Sequence, residues 1–126
     1  VFVNKGKVIS HLYRYLNEHG HATVTLSGER SQSQRKEAMA AMREGRAKVL
    51  VTTDAASRGL DFSGIPWVFH YDMPASHHAY VHRVGRTGRA GQSGTSIAIL
   101  TDKERPVLKR VTRELKISCT PFRRDH

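Results

Sequence analysis

Cysteine is nearly absent: Cys119 is the single one in 126 residues, so no internal disulfide can form and a reducing, intracellular setting is expected. No apolar run approaches the roughly 18 residues that a membrane helix needs, so no membrane partner is expected. No leader is legible in a chain that begins within the apolar stretch Val1-Phe2-Val3. Internal repeats and low-complexity stretches are missing too, which excludes solenoids and fibrous folds. Carboxylates are scarce, with eleven Asp and Glu against twenty-one Lys and Arg, a formal charge of +10. Such an excess points to a polyanionic partner, most often nucleic acid and less often acidic lipid. A merely solubilising surface is the plainer explanation, but several arginines cluster around glycines, which solubility does not require. What remains is ordinary: 38% hydrophobic and 25% charged residues, at a length suited to one globular domain.

Short apolar runs alternate with amphipathic ones. Val1–Val3 reads as a buried strand, followed by a helix opened at Gly6 with Val8, Ile9, Leu12 and Leu16 on one face and stopped by Gly20. Ala22–Leu26 alternates as a second strand. Ser31 and Gln34 have the form of a capping box for a helix that buries Ala38, Met39 and Met42 and ends at Gly45. Val49–Val51 is a third strand, continuous and apolar as central parallel strands are. After a glycine-bearing loop, Pro66 precedes a strand at Trp67–Phe69, and Ser76 caps a helix through Tyr80 to about Val84. Ile97–Leu100 is a fifth strand. Thr101 and Glu104 suggest a second capping box before a helix with Val107, Leu108, Val111 and Leu115 inward. This order implies an α/β fold, a parallel sheet with helices on both faces in three layers. Ligands of such sheets bind outside the carboxyl ends of the strands, here the loops after Val3, Leu26, Val51, Tyr71 and Leu100.

Two of those loops carry the densest chemistry. In His82-Arg83-Val84-Gly85-Arg86-Thr87-Gly88-Arg89-Ala90-Gly91, arginines recur every third position with Gly85 and Gly88 between them. Each guanidinium is a permanently charged planar fork that matches phosphate oxygens, and glycine lets backbone approach a ligand closely. Several forks at a helix end make an anion clamp. Thr52-Thr53-Asp54-Ala55-Ala56-Ser57-Arg58-Gly59-Leu60-Asp61-Phe62 directly follows the third strand. Hydroxyls, a glycine and carboxylates there suit sugar and phosphate contacts, although Asp54 and Asp61 read equally well as turn caps.

Together these segments resemble the DEAD-box ATP-dependent RNA helicases of superfamily two, and the resemblance runs through nearly the whole chain in the family's order. Val1–Asn4 looks like motif IV, and Ser27-Gly28-Glu29 with Gln32–Arg35 like the segment that contains the Q-x-x-R motif. Thr53–Asp61 looks like motif V, Tyr71–Pro74 like motif Va, and His82–Arg89 like motif VI. The resemblance implies a C-terminal RecA-like domain over 1–118, lacking its N-terminal edge, with a basic tail at 119–126. It implies that Arg86 and Arg89 are arginine fingers reaching ATP, that Gly59 and Asp61 touch the nucleotide, and that Arg58 and His82 face the N-terminal RecA-like domain of the same protein. Asn4, Gly28, Gln32, Arg35 and Thr53 would hold the RNA backbone. Ribonucleoprotein or ribosome-assembly proteins are further implied partners. Ser27 and His70 depart from the family's usual histidine and asparagine, a matter of fine geometry.

The phosphate-binding G-x-x-x-x-G-K-[ST] loop, the Asp-Glu-Ala-Asp motif and the adenine-reading glutamine motif are absent. In the family the first domain carries them, so Mg²⁺ would be held there and this domain alone should be inactive. His77, His78 and His82 sit at a spacing that can bind zinc, but no cysteine or carboxylate supports it and no metal site is expected. Trp67 is expected in the core. Lys109, Arg110, Arg113 and Lys116 read as a solvated face, with a flanking RNA contact or a protein-docking surface as alternatives. A non-catalytic RNA clamp and a DNA translocase of the same superfamily are the competing functions.

Overall fold

The computed structural model describes residues 1–28, 31–58, 65–74, 76–85 and 94–121. The first helix, α1 (Gly6–Glu18), starts after Lys5 without a side-chain cap and ends at His19. Gly20 follows at φ +83°, a left-handed turn that a side chain would strain. Strand β1 (Thr23–Leu26) leads to α2 (Gln32–Arg43), whose start is the expected capping box. The Gln34 N–H donates to Ser31 Oγ at 3.2 Å and the Ser31 N–H to Gln34 Oε1 at 3.0 Å. Gly45, at φ +76°, lies just beyond its end. Strand β2 (Val49–Thr52) then passes into a one-turn helix, α3 (Asp54–Ser57), in the stretch expected to be a loop.

These elements form one of two units, Val1–Asp61. β1 runs parallel to β2, from Thr23 opposite Val49 to Leu26 opposite Thr52. Val1–Val3 makes no full strand. It joins β2 through a single bridge, Phe2 to Thr52, with the Val3 N–H donating to the Thr52 carbonyl and the Thr52 N–H to that of Val1. The α1 stripe Val8, Ile9, Leu12 and Leu16 packs on Val3, Val49 and Val51. Full burial of a side chain such as Ile9 or Val51 contributes about 1.5–3 kcal/mol, and the partly buried ones less.

The second unit, Phe62–His126, contains β3 (Trp67–His70), α4 (His77–Val84), β4 (Thr95–Ala98) and α5 (Arg105–Leu115). β3 and β4 are parallel, Trp67 opposite Thr95 and His70 opposite Ala98. Tyr80, Met73 and Val111 form its core with Val84, Ala98, Leu100, Val107, Leu108 and Leu115. Ser76 caps α4 as expected, accepting from the Ala79 N–H at 3.1 Å. The chain is thus α/β, with parallel strands flanked by helices.

Three further expectations shift. β4 lies two residues earlier than the apolar run suggests, because its partner β3 ends at His70 and the Ile99 N–H makes the last rung to the His70 carbonyl. The Thr101–Glu104 box is half-formed: Glu104 Oε1 accepts from Thr101, but α5 begins only at Arg105. Pro106 falls in the first turn, where its missing N–H removes no helical bond, and the first such bond is that of Leu108 to the Glu104 carbonyl. Trp67, expected in the core, is 48% exposed and stacks on Phe69.

Candidate nucleic-acid and nucleotide interface

In the first unit the register brings strand ends together. Leu26 and Phe2 both pair with Thr52, so Asn4, Ser27-Gly28 and Thr53 leave the sheet at one end. Because chain direction reverses between strand and helix, α1 and α2 begin at that same end. Their first N–H groups carry the positive pole of each helix dipole. Asn4, Gly28 and Gln32 are exposed, while Arg35 and Thr53 are half-buried. A Cβ on Gly28 would meet nothing within 4 Å, so packing does not demand glycine there.

Arg35 joins two of these loops. Its Nη2 donates to the Ala56 carbonyl at 2.5 Å, linking α2 to α3 across 21 positions of sequence. Its Nε is buried with no hydrogen-bond partner among the described residues. One end of the fork therefore braces the chain. Thr53 is similarly divided: its hydroxyl accepts from the Ala56 N–H at 3.3 Å and caps α3. Arg58, just past α3, is exposed.

In the second unit His82 is exposed on α4, but Arg83 is not part of an outward clamp. Arg83 is 0% exposed, and its Nη1 donates to the Asp72 carbonyl at 2.6 Å. The same Nη1 lies 3.5 Å from His70 Nδ1, the limit of a hydrogen bond. Arginine only donates, so His70 Nδ1 is the acceptor of that contact, and His70 Nε2 lies 2.8 Å from Ser96 Oγ. His70 is itself fully buried and stacks on Tyr80, with centroids 5.1 Å apart. Burial pushes the Tyr80 phenol up, against a hydrogen bond to Ser96. Sequence reasoning missed this hub, although Arg83 lies three residues from inward Tyr80, a spacing that puts both on one helix face. Gly85 closes α4 tightly: a Cβ there would come within 3.3 Å of the Val81 carbonyl.

Gly59, Asp61, Arg86 and Arg89 lie outside the described residues. Among the described residues no three His, Cys, Asp or Glu side chains gather as a metal site would require. The described charge at the strand ends is cationic and dipolar, suited to phosphate, and the aromatic face that base stacking needs is missing from Asn4, Gly28, Gln32, Arg35 and Thr53.

Comparison with known proteins gives the same direction. Residues 1–91 match the profile of the helicase conserved C-terminal domain. The chain is 40% identical over 124 residues to the pre-mRNA-splicing ATP-dependent RNA helicase PRP28 of Chaetomium globosum, covering 96% of this chain and 18% of that one. Among solved structures, Escherichia coli DEAD-box protein SrmB bound to the regulator of ribonuclease activity RraA superposes with a TM-score of 0.86 at 42% identity, over 90% of this chain and 66% of that one. The C-terminal domain of the DEAD-box protein Dbp5 gives 0.83 at 35%, over 90% and 67%. The chain spans between 18% and 30% of the length of the curated relatives it matches.

Proposed function

The chain belongs to the helicase conserved C-terminal domain family in its DEAD-box form, the RecA-like kind, and from that membership we propose that it is the RNA-gripping, finger-supplying half of an ATP-dependent RNA helicase. The observation that carries this reading is the gathering of Asn4, Gly28, Gln32, Arg35 and Thr53 at the carboxyl end of one parallel sheet, beside two helix N-termini.

These groups match a sugar-phosphate strand. Backbone contacts hold register without reading bases, so binding is largely independent of sequence. Contacts to the 2′-hydroxyl would distinguish RNA from DNA. The Arg35–Ala56 bond ties the Q-x-x-R helix to the motif V turn, so both loops present their RNA-facing groups as one body. In the second unit, Arg83 and His70 fix the end of α4 from which Arg86 and Arg89 follow. Those two side chains act as arginine fingers toward the γ-phosphate of ATP, and Gly59 and Asp61 touch the nucleotide. Arg58 and His82 face the N-terminal RecA-like domain. That domain would hold Mg²⁺, since this chain carries neither the phosphate loop nor the acidic motif. Its closure on the clamped RNA couples hydrolysis to loss of short duplexes or to remodelling of RNA–protein complexes.

The fingers supply the test. In the full-length protein, Arg86→Lys and Arg89→Lys keep charge but lose the planar fork. Each should lower RNA-stimulated kcat at least about a hundredfold, on the scale of other arginine fingers. KM for ATP should move far less, because a transition-state contact appears chiefly in kcat. Wild-type turnover in both variants would refute the assignment.

A further inference from the structure

The outward face of α5 has no role in this scheme. Residues advance about 100° around a helix at each step. Val107, Leu108, Val111 and Leu115 share the inner side and pack into the core. Arg105, Lys109, Arg113 and Arg110 follow one another around the opposite side over an arc of about 140°, Lys116 comes just past the helix end, and all are exposed. Pro106 is the only apolar residue among them.

Ordinary helix chemistry does not account for this arc. The dipole favours cations in the last turn, which suits Arg113 and Lys116 but disfavours Arg105 in the first. Arg105, Lys109 and Arg113 repel one another at successive four-residue intervals. Neighbouring carboxylates do little to neutralise them. Glu104 receives the Met73 N–H at 2.8 Å, and Glu114 is 2.6 Å from His77 Nδ1. Asp102, fully exposed, comes only within 3.6 Å of Arg105. Among the described residues, no ion pair or side-chain hydrogen bond engages Lys109, Arg110, Arg113 or Lys116. Lys116 also takes a left-handed conformation, φ 55°, at the helix end where glycine is usual, so a cation stands where a smaller, neutral residue would be expected.

We propose that this face of α5 is a second contact for RNA phosphates, separate from the residues gathered in Val1–Asp61. A protein partner would look for aromatic or large aliphatic side chains at the centre of the patch, and the arc offers only Pro106. A membrane would need the apolar side of the helix, which is spent on the core. A polyanionic backbone needs only spaced positive charge on a rigid support. From Arg105 to Lys116 the helix offers it over roughly 16 Å.

The proposal rests on the chain being the RNA-contacting half, and the test separates the two. In the full-length protein, log K for a long oligouridylate is measured against log salt for the triple variant K109Q/R110Q/R113Q. Glutamine preserves helix propensity, and the charge-keeping K109R/R110K/R113K controls for folding. The glutamine variant should lose about 2 from the slope, three contacts at about 0.7 each, and the charge-keeping variant nothing. Arg35→Ala should flatten the slope by its own single contact, about 0.7. If the glutamine variant matches wild type on long RNA while Arg35→Ala does not, the α5 contact is overturned and the function stands. Equal losses in the glutamine and charge-keeping variants would also overturn it. So would lost binding to polyglutamate with RNA affinity intact, which would assign the face to an acidic protein.

Discussion

Arg83 stands in the arginine-rich stretch, yet its surroundings make it a brace, and that difference can be measured. Arg83→Met keeps most of the aliphatic stem and removes the guanidinium from the Asp72 carbonyl and from His70. A hydrogen bond from a charged donor contributes about 1.5–3 kcal/mol net. The buried acceptors it leaves behind cost more, while relief of burying a cation gives some back. About 2 kcal/mol of net loss is therefore expected. Arg83→Ala adds a cavity at a site that is 0% exposed, for a total of about 4 kcal/mol. Against a domain stability of about 5–15 kcal/mol these are large losses. Urea unfolding of the 126-residue chain can be followed through Trp67, its single tryptophan, placed on β3 three residues before His70. With a urea dependence near 2 kcal/mol per molar, the midpoint should fall by about 1 M for Met and about 2 M for Ala. Arg86→Lys should leave it in place. An unchanged midpoint in Arg83→Met, together with lost ATP turnover in the full-length protein, would return Arg83 to the ligand clamp and refute the bracing role.

Lacking the phosphate loop and the acidic motif, the isolated chain should show no RNA-stimulated ATP turnover; activity that co-purifies with it and vanishes in Arg86→Ala would overturn this division of labour. Arg35→Ala should flatten the salt dependence of RNA binding by about 0.7 and weaken all sequences alike. It should also lower stability by about 1.5–3 kcal/mol through the lost bond to Ala56, so an unchanged unfolding midpoint would mean that the bond does not tie α2 to α3. Glu104 supplies an acid-side prediction. Burial alone would raise its carboxyl, but donation from the Met73 and Thr101 N–H groups and the Thr101 hydroxyl outweighs that and holds it below its ordinary value. A carboxyl depressed in the folded state adds stability that is present above its unfolded value and lost as pH falls through the folded one. Glu104→Gln should thus flatten the decline in urea midpoint below about pH 4.5, and an unaltered decline would dismiss the contribution.

The local rules were legible in the chain itself. Ser31 with Gln34, Ser76, Gly20 and Gly45 mark helix ends because a cap involves only groups within a few residues of one another. The inward stripes of α1 and α5 follow from the helical period for the same reason. The residues proposed to face RNA stand out through their motif, and the alternation of strands and helices already put their loops at strand carboxyl ends. Strand limits were less legible, since β4 stops where β3 stops, and its partner lies far away in sequence. The short helix α3 escaped notice because a single turn has too few residues to show a period. Above all, tertiary structure decided what each arginine does. Arg35 and Arg83 look like free phosphate forks in the sequence, yet one spends half its fork on a carbonyl 21 residues away and the other is enclosed beside His70, 13 residues away. A guanidinium reaches solvent or an internal carbonyl according to which distant backbone the fold brings beside it, and no spacing within the motif carries that information.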